Sequence, residues 1–176
     1  MEKEELKDLI EGCLRNDRQL QKKLYKAFYG FVYGIALRYA NDEEEASIII
    51  NKGFYCAFAH LSDYKETTDF KEWLRHLIVQ ASIKHYFDTK RFTATMPVSK
   101  IGLINYSPHN LGKAFSYSDN IRALHQLPGP WRMIFNLFAI EGYQHEKIAS
   151  LLDISAYTSE SLLVSARKKL SSLMND

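Results

Sequence analysis

Apolar residues recur at spacings of three and four along most of the chain, which is the pattern of amphipathic helices. In the first half this spacing predicts four helices, at about residues 4–15, 18–39, 43–61 and 70–86. Asp17, Asp42 and Asp69 each precede one of these helices, where a capping side chain is expected. Residues 1–91 therefore predict a small all-helical domain with short loops.

The periodicity disappears between residues 92 and 118, where prolines, glycines and serines are frequent. A structureless stretch of this length is unusual inside one compact domain, so we interpret residues 92–118 as an irregular linker. A second helical domain is predicted at residues 119–176, because the apolar spacing returns there. Its predicted helices span about residues 119–127, 131–141, 144–152 and 156 onwards.

The last two predicted helices have the size of a helix-turn-helix, whose second helix lies in the DNA major groove. Asp153 occupies the tight turn between them, in a position that favours a left-handed backbone. Ser155 follows it and is expected to cap the last helix through its side-chain oxygen. The predicted fold class is thus all-α, with two small helical domains and a C-terminal helix-turn-helix.

The net charge changes this picture only slightly. The chain carries 23 basic and 21 acidic residues, for a formal charge of +2. Such a balance gives no global basic field of the kind that attracts nucleic acid. DNA contact would therefore have to be local, or be assisted by a partner protein.

Other classes of function find little support in the sequence. Cys13 and Cys56 lack a metal-binding spacing and suggest a reducing, cytoplasmic setting. The N-terminus lacks the apolar core of a signal peptide, and no apolar stretch is long enough for membrane insertion. The six histidines are scattered, and neither a Gly-rich phosphate loop nor a nucleophile-and-base motif occurs. We therefore expect no metal, no cofactor and no enzymatic activity.

The C-terminal part resembles the matching domain of bacterial RNA polymerase sigma factors of the extracytoplasmic-function class, within the sigma-70 superfamily. Its matching positions are Leu127-Pro128, Arg132, Glu141-Gly142, Ile148-Ala149, Leu152, Ile154-Ser155, Thr158, Ala166-Arg167 and Leu170. The N-terminal part resembles the same family's first domain at Ala46, Phe54, Trp73-Leu74 and Ile83. The C-terminal positions keep the family's order and spacing, and the resemblance as a whole extends from about residue 18 to residue 172.

The resemblance implies a sigma factor that binds core RNA polymerase and directs transcription initiation at specific promoters. Residues 1–91 would bind the polymerase and the melted upstream promoter element, and residues 119–176 would bind the distal promoter element. An anti-sigma factor or a response regulator is a further partner that this family implies.

Candidate contact residues follow from side-chain chemistry on the helices that the family uses. Hydroxyl and basic groups on the last helix suit phosphates and bases of the distal element: Ser155, Thr158, Ser159, Ser161, Arg167 and Lys168. Polar and basic groups suit the melted upstream element: Gln80, Lys84, Lys90 and Arg91. The helix after Asp42 offers polymerase-binding candidates: Asn51, Lys52, Phe54 and Tyr55. Each group has an alternative interpretation as packed core or as an ordinary solvated face.

The scaffold positions match the family better than the contact positions do. Ser47 and Ile48 stand where the family usually has acidic residues, and Lys147 stands where it has glutamate. On the last helix, the outward-facing positions at which the family has basic residues fall at Glu160, Leu162 and Ser165. Glu160 would repel phosphate, although it could accept a hydrogen bond from a cytosine amino group.

These departures leave a second hypothesis open. A divergent sigma-like regulator would act through protein-protein interaction, with weak or no promoter recognition of its own. A third hypothesis, a stand-alone helix-turn-helix regulator, explains residues 1–91 poorly.

Overall fold

The computed structural model describes residues 3–89 and 117–174, and every regular element in these ranges is helical. The all-α prediction is confirmed. Contacts divide the chain into two units, residues 1–85 and 86–176. The predicted linker, residues 92–118, lies outside the described residues except for its last two positions.

The described part of the first unit contains four helices and a short 3-10 turn. They are α1 (Lys3–Leu14), α2 (Arg18–Tyr39), α3 (Glu43–Ala59), the 3-10 turn Leu61–Asp63 and α4 (Phe70–Asp88). The third helix ends two residues before the predicted Leu61, because the backbone tightens there into the 3-10 turn. The division between the units falls inside the last turn of α4.

The three aspartate caps of the first unit are confirmed. Asp17 accepts the backbone N–H of Gln19 at 2.8 Å and begins α2. Asp42 accepts the N–H of Glu45 at 2.8 Å, and Asp69 accepts the N–H of Lys71 at 2.7 Å. Each cap satisfies a donor that the helix itself leaves unpaired, which is worth about 1 kcal/mol.

The apolar faces of α2, α3 and α4 form the core of the first unit. Its most deeply buried members are Leu24, Val32, Ile49, Ile50, Leu74, Ile78 and Val79. Gly53 allows α3 to lie close to α4, since a Cβ at this position would overlap the Ile78 side chain. Full burial of one such aliphatic side chain contributes about 1.5–3 kcal/mol, so these helices depend on one another for stability.

A buried polar group also ties α3 to α4. The Glu45 carboxylate lies 2.9 Å from Nε2 of His85, and both side chains are less than a tenth exposed. Its other oxygen accepts hydrogen bonds from the backbone and the side-chain amide of Asn41, both at 2.7 Å. Lys52 Nζ lies 3.4 Å from the other ring nitrogen of His85. Buried polar groups are tolerated when they are paired in this way.

In the described part of the second unit, four helices and a π-helical turn follow one another. They are α5 (Tyr117–His125), α6 (Gly129–Phe135), the π turn Asn136–Ile140, α7 (His145–Leu152) and α8 (Ala156–Met174). The helix α5 begins at Tyr117, so the predicted cap Asp119 lies in its first turn and pairs instead with Arg122 at 3.5 Å. Gly142, with φ of 76°, ends the helical run after the π turn as predicted.

The core of the second unit is built around α8. Leu124 and Leu127 pack with Ala166 of α8, and half-buried apolar side chains surround them. Those surrounding residues are Ile121, Trp131, Phe135, Ile140 and Leu170. The fully buried Ile148 and Leu152 of α7 and the buried Leu163 complete the support of the last helix. The orientation of α8 about its own axis is therefore fixed by burial on one side.

Candidate functional site

The turn between α7 and α8 has the geometry of a helix-turn-helix corner. Asp153 adopts φ of 53° and ψ of 49°, the left-handed conformation expected for it, and its N–H reaches the carbonyl of Ala149. Ser155 Oγ accepts the backbone N–H of Thr158 at 2.9 Å, which confirms the predicted cap. The hydroxyls of Ser155 and Thr158 also lie 2.8 Å apart and share a hydrogen bond.

A second contact fixes the start of α7 against α8. His145 Nδ1 lies 2.9 Å from Oγ of Ser159, which is completely buried. The His145 ring stacks on Phe138 at 4.3 Å between centroids, and the Arg167 guanidinium lies 5.5 Å from the same Phe138 ring. Burial lowers the pKa of His145 below its ordinary value of 6.5, with a smaller lowering from Arg167; Glu160 and Glu146 oppose the shift.

One side of α8 remains accessible along several turns. Its members are exposed or half-exposed residues at helical spacing, and we call them the outward stripe: Tyr157, Glu160, Ser161, Val164 and Lys168. Tyr157 is 66% exposed, so its ring is accessible on this side of the helix. Side chains at the N-terminal end of such a helix are the ones that reach base edges.

The candidate residues for the distal promoter element differ in their exposure. Ser155 and Lys168 are exposed, and Thr158, Ser161 and Arg167 are half-buried, so these five remain predicted DNA contacts. Ser159 was wrongly included, because it is fully buried and its hydroxyl bonds to His145. Ser165 was expected to face outward, but it is buried and donates to the carbonyl of Ser161 at 3.0 Å.

Of the candidate polymerase-binding residues, Asn51 and Tyr55 lie on one exposed face of α3, whereas Lys52 is half-buried and its Nζ lies 3.4 Å from the His85 ring. Asn51 and Tyr55 lie one turn apart, and Tyr55 is 76% exposed. Ile48, which is 41% exposed, lies on the same face. Phe54 was a wrong choice for a surface contact, because it is 3% exposed and its ring packs on Tyr25 at 4.5 Å. The Tyr25 hydroxyl donates to the side-chain oxygen of Asn51 at 3.3 Å.

The residues suggested for the melted promoter element are only partly described. Gln80 is half-buried and Lys84 is exposed one turn further along α4, so both can be reached from outside. Lys90 and Arg91 lie outside the described residues. Phe70 at the start of α4 is buried, with its ring 5.4 Å from that of Trp73 and 4.9 Å from that of Phe28, so it is a core residue and not a surface for bases.

Sequence reasoning missed Tyr157 and the two histidine contacts. The helical phase relative to the buried Leu163 places Tyr157 on the exposed side of α8, whereas the contact residues were predicted from charge and from small hydroxyl side chains. The His145–Ser159 and Glu45–His85 pairs join residues 14 and 40 positions apart, and no local pattern signals them. Across residues 3–89 and 117–174, no cluster suited to a metal ion occurs and no helix is apolar and long enough to cross a membrane.

Comparison with known proteins gives matches to both units. The chain matches the family model "Sigma-70 region 2" over residues 24–92 and the model "Sigma-70, region 4" over residues 121–170. Together the two matched ranges cover more than half of the chain.

Full-length relatives and a solved structure are also similar. The RNA polymerase sigma-H factor of Pseudomonas aeruginosa is 21% identical over 95% of this chain and 92% of its own. The ECF RNA polymerase sigma-E factor of Escherichia coli is 21% identical over 92% of this chain and 90% of its own. The structure of the sigma factor RpoE from Bartonella quintana, in complex with the anti-sigma factor NepR, covers 88% of this chain and 96% of that one. That likeness has a TM-score of 0.50 at 16% identity and concerns the fold alone.

Proposed function

The chain belongs to the extracytoplasmic-function class of the sigma-70 family, and we propose which of its surfaces bind the polymerase and which bind the promoter. As a sigma factor it binds core RNA polymerase and directs transcription initiation at specific promoters. We assign polymerase and upstream-element binding to residues 1–91, distal-element binding to residues 119–176, and the connection to the linker between them. It acts by binding, in the cytoplasm where the polymerase is found, without catalysis of its own.

The polymerase contact is assigned to the exposed face of α3. Ile48, Asn51 and Tyr55 lie at spacings of three and four, so they form one surface of the helix. An exposed aromatic ring on the same helix face as an exposed aliphatic side chain is typical of an interface anchor. The buried Glu45–His85 pair supports this face from below, because it ties the start of α3 to α4.

The distal-element contact is assigned to α8. The single observation that carries this assignment is the left-handed turn at Asp153 followed by the Ser155 cap, which presents α8 as a recognition helix. Ser155, Thr158, Ser161, Arg167 and Lys168 are proposed to position it on the DNA backbone and bases. Gln80 and Lys84, with Lys90 and Arg91, are proposed for the melted upstream element.

Control of this activity is proposed to come from a partner that covers one of these surfaces. The RpoE structure was determined with an anti-sigma factor bound, and we extend this class of partner to the present chain, with a response regulator as the other candidate. No observation on the described residues favours a protein that acts only through protein-protein interaction.

Two exposed tyrosines, Tyr55 on α3 and Tyr157 on α8, test whether α3 rather than α8 contacts the polymerase. Tyr55→Ala should weaken binding to core polymerase by about tenfold or more, because an exposed aromatic anchor is lost. Tyr157→Ala removes a similar ring from α8 and serves as the matched control, so it should leave core binding unchanged. Affinity for core enzyme would be measured by fluorescence anisotropy of the labelled chain. Equal core affinity for Tyr55→Ala and the unaltered chain would contradict the assignment of α3.

A further inference from the structure

The outward stripe of α8 has an unusual charge order for a helix that enters a major groove. Its first two turns carry Tyr157, Glu160 and Ser161, and its first cation is Lys168. Arginine or lysine paired with guanine is the commonest specific contact in the major groove. Here the N-terminal half of the stripe offers a carboxylate instead, so its chemistry favours a base that donates hydrogen bonds.

The position of Glu160 is set by the packing of the opposite side of α8. Ser159, Leu163 and Ala166 are buried against the rest of the unit, and this burial turns Glu160 outward. Glu160 is exposed and lies one turn from the highly exposed Tyr157. An outward carboxylate at the second turn therefore belongs to the surface that meets base edges, rather than to the core.

The major-groove edges of the four bases differ in what they offer a carboxylate. Guanine presents two acceptors and thymine presents an acceptor and a methyl group, so both repel an acceptor-only side chain. Adenine presents a donor, but its N7 acceptor lies beside that donor. Cytosine presents only the N4 amino donor, which is the group that Glu or Asp accepts from. Cytosine is thus the base that fits Glu160 best.

A carboxylate on this face also carries an electrostatic cost. It lies near the phosphate backbone when α8 is in the groove, and like charges reduce the affinity that does not depend on sequence. The same repulsion acts at every promoter, whereas the hydrogen bond forms at only one base. The result is lower general affinity with higher discrimination at a single position.

We propose that Glu160 is a specificity-determining residue that selects cytosine at one position of the distal promoter element. The proposal rests on the proposed function, since it requires that α8 enters the groove of promoter DNA. It names the base that this chain prefers, through a carboxylate at a position where the family has a basic residue.

Transcription from a promoter library with a randomised distal element tests the proposal. The full chain with core polymerase should initiate on templates with cytosine at one position, favoured by about tenfold over other bases. Glu160→Gln should change the favoured base at that position to adenine, because a glutamine amide pairs with adenine N6 and N7. Glu160→Ala should reduce the preference there to less than about twofold, while other positions keep theirs.

Glu146→Gln is the matched control, because it removes one exposed acidic charge from α7 and lies off the outward stripe. It should leave the base preference at every position unchanged. Identical base profiles for the unaltered chain and both Glu160 variants would overturn the proposal while leaving the sigma activity intact. Loss of all initiation by both variants, with core binding retained, would also overturn it, since a single base contact affects one position. Failure of the unaltered chain to initiate anywhere would instead reject the proposed function.

Discussion

His145 and Ser159 join α7 to α8 through one hydrogen bond, and their environment sets the charge state of the imidazole. Burial lowers the pKa of His145, so the folded second unit holds the ring in its neutral form over a wider pH range than the unfolded chain does. The charges of Glu160, Glu146 and Arg167 act on this pKa, and the two glutamates only partly offset the effect of burial. The junction of the helix-turn-helix is therefore sensitive to acid.

The sign of the pH dependence follows from the lowered pKa. Well above pH 6.5 the ring is neutral in both the folded and the unfolded state, and the contribution of the contact to stability is complete. As the pH falls below 6.5, the His145 ring takes up a proton more readily in the unfolded chain than in the folded one. The stability of the second unit therefore declines as the pH falls from 6.5 to the lower pKa of the folded state. Urea unfolding of the chain and of His145→Gln, at several pH values between about 5 and 8, should show the steeper decline only in the unaltered chain. Parallel pH profiles for the two proteins would contradict this account.

Single positions also show what the sequence could and could not predict. The caps at Asp17, Asp42 and Ser155 were predictable, because they depend on residues within one turn. Ser159 and Phe54 were assigned to surfaces from their chemical type, whereas burial is decided by helical phase relative to the rest of the core. Tyr157 was overlooked for the same reason, since its exposure depends on which side of α8 packs.

At the scale of elements, the close contact between α3 and α4 depends on the absence of a side chain at Gly53. Gly53 lies where α3 meets α4, and the Ile78 side chain occupies the space that a Cβ would need. Gly30 lies on an exposed part of α2, and nothing lies within 4 Å of an added Cβ there. The same substitution is thus expected to have opposite effects at two helical positions.

Gly53→Ala should lower the free energy of unfolding by about 1–3 kcal/mol, because the buried Ile78 must shift. Gly30→Ala should raise it by about 0.5–1 kcal/mol, since alanine favours the helix and meets no obstacle. Chemical denaturation followed by circular dichroism would give both values. Stabilisation by Gly53→Ala would show that α3 and α4 are less closely packed than described.

Helix existence was largely predictable from apolar spacing, whereas helix ends were less so. The continuation of α6 as a π turn at Asn136–Ile140 and the start of α5 at Tyr117 had no counterpart in the pattern. Both depend on how successive helices meet in the unit, and the sequence period does not report such contacts. The turn at Asp153 was predictable, because few residues other than glycine accept its conformation.

At the scale of the whole molecule, the near-neutral charge indicates that general affinity for DNA and recognition of a particular sequence have different sources. With a formal charge of +2, the chain as a whole carries little of the net positive charge that favours DNA binding without sequence preference. Promoter selection is then expected to depend on the polymerase, which supplies affinity, and on a few side chains of α8, which supply discrimination. This division fits a sigma factor better than a stand-alone DNA-binding protein.

The central claim is that this chain directs core RNA polymerase to specific start sites. The most direct measurement maps the 5′ ends of transcripts made from a genomic or synthetic promoter library by core enzyme with and without the purified chain. We predict discrete start sites that appear only when the chain is present and that share a distal sequence element. Transcripts that are the same in the presence and absence of the chain would contradict the claim.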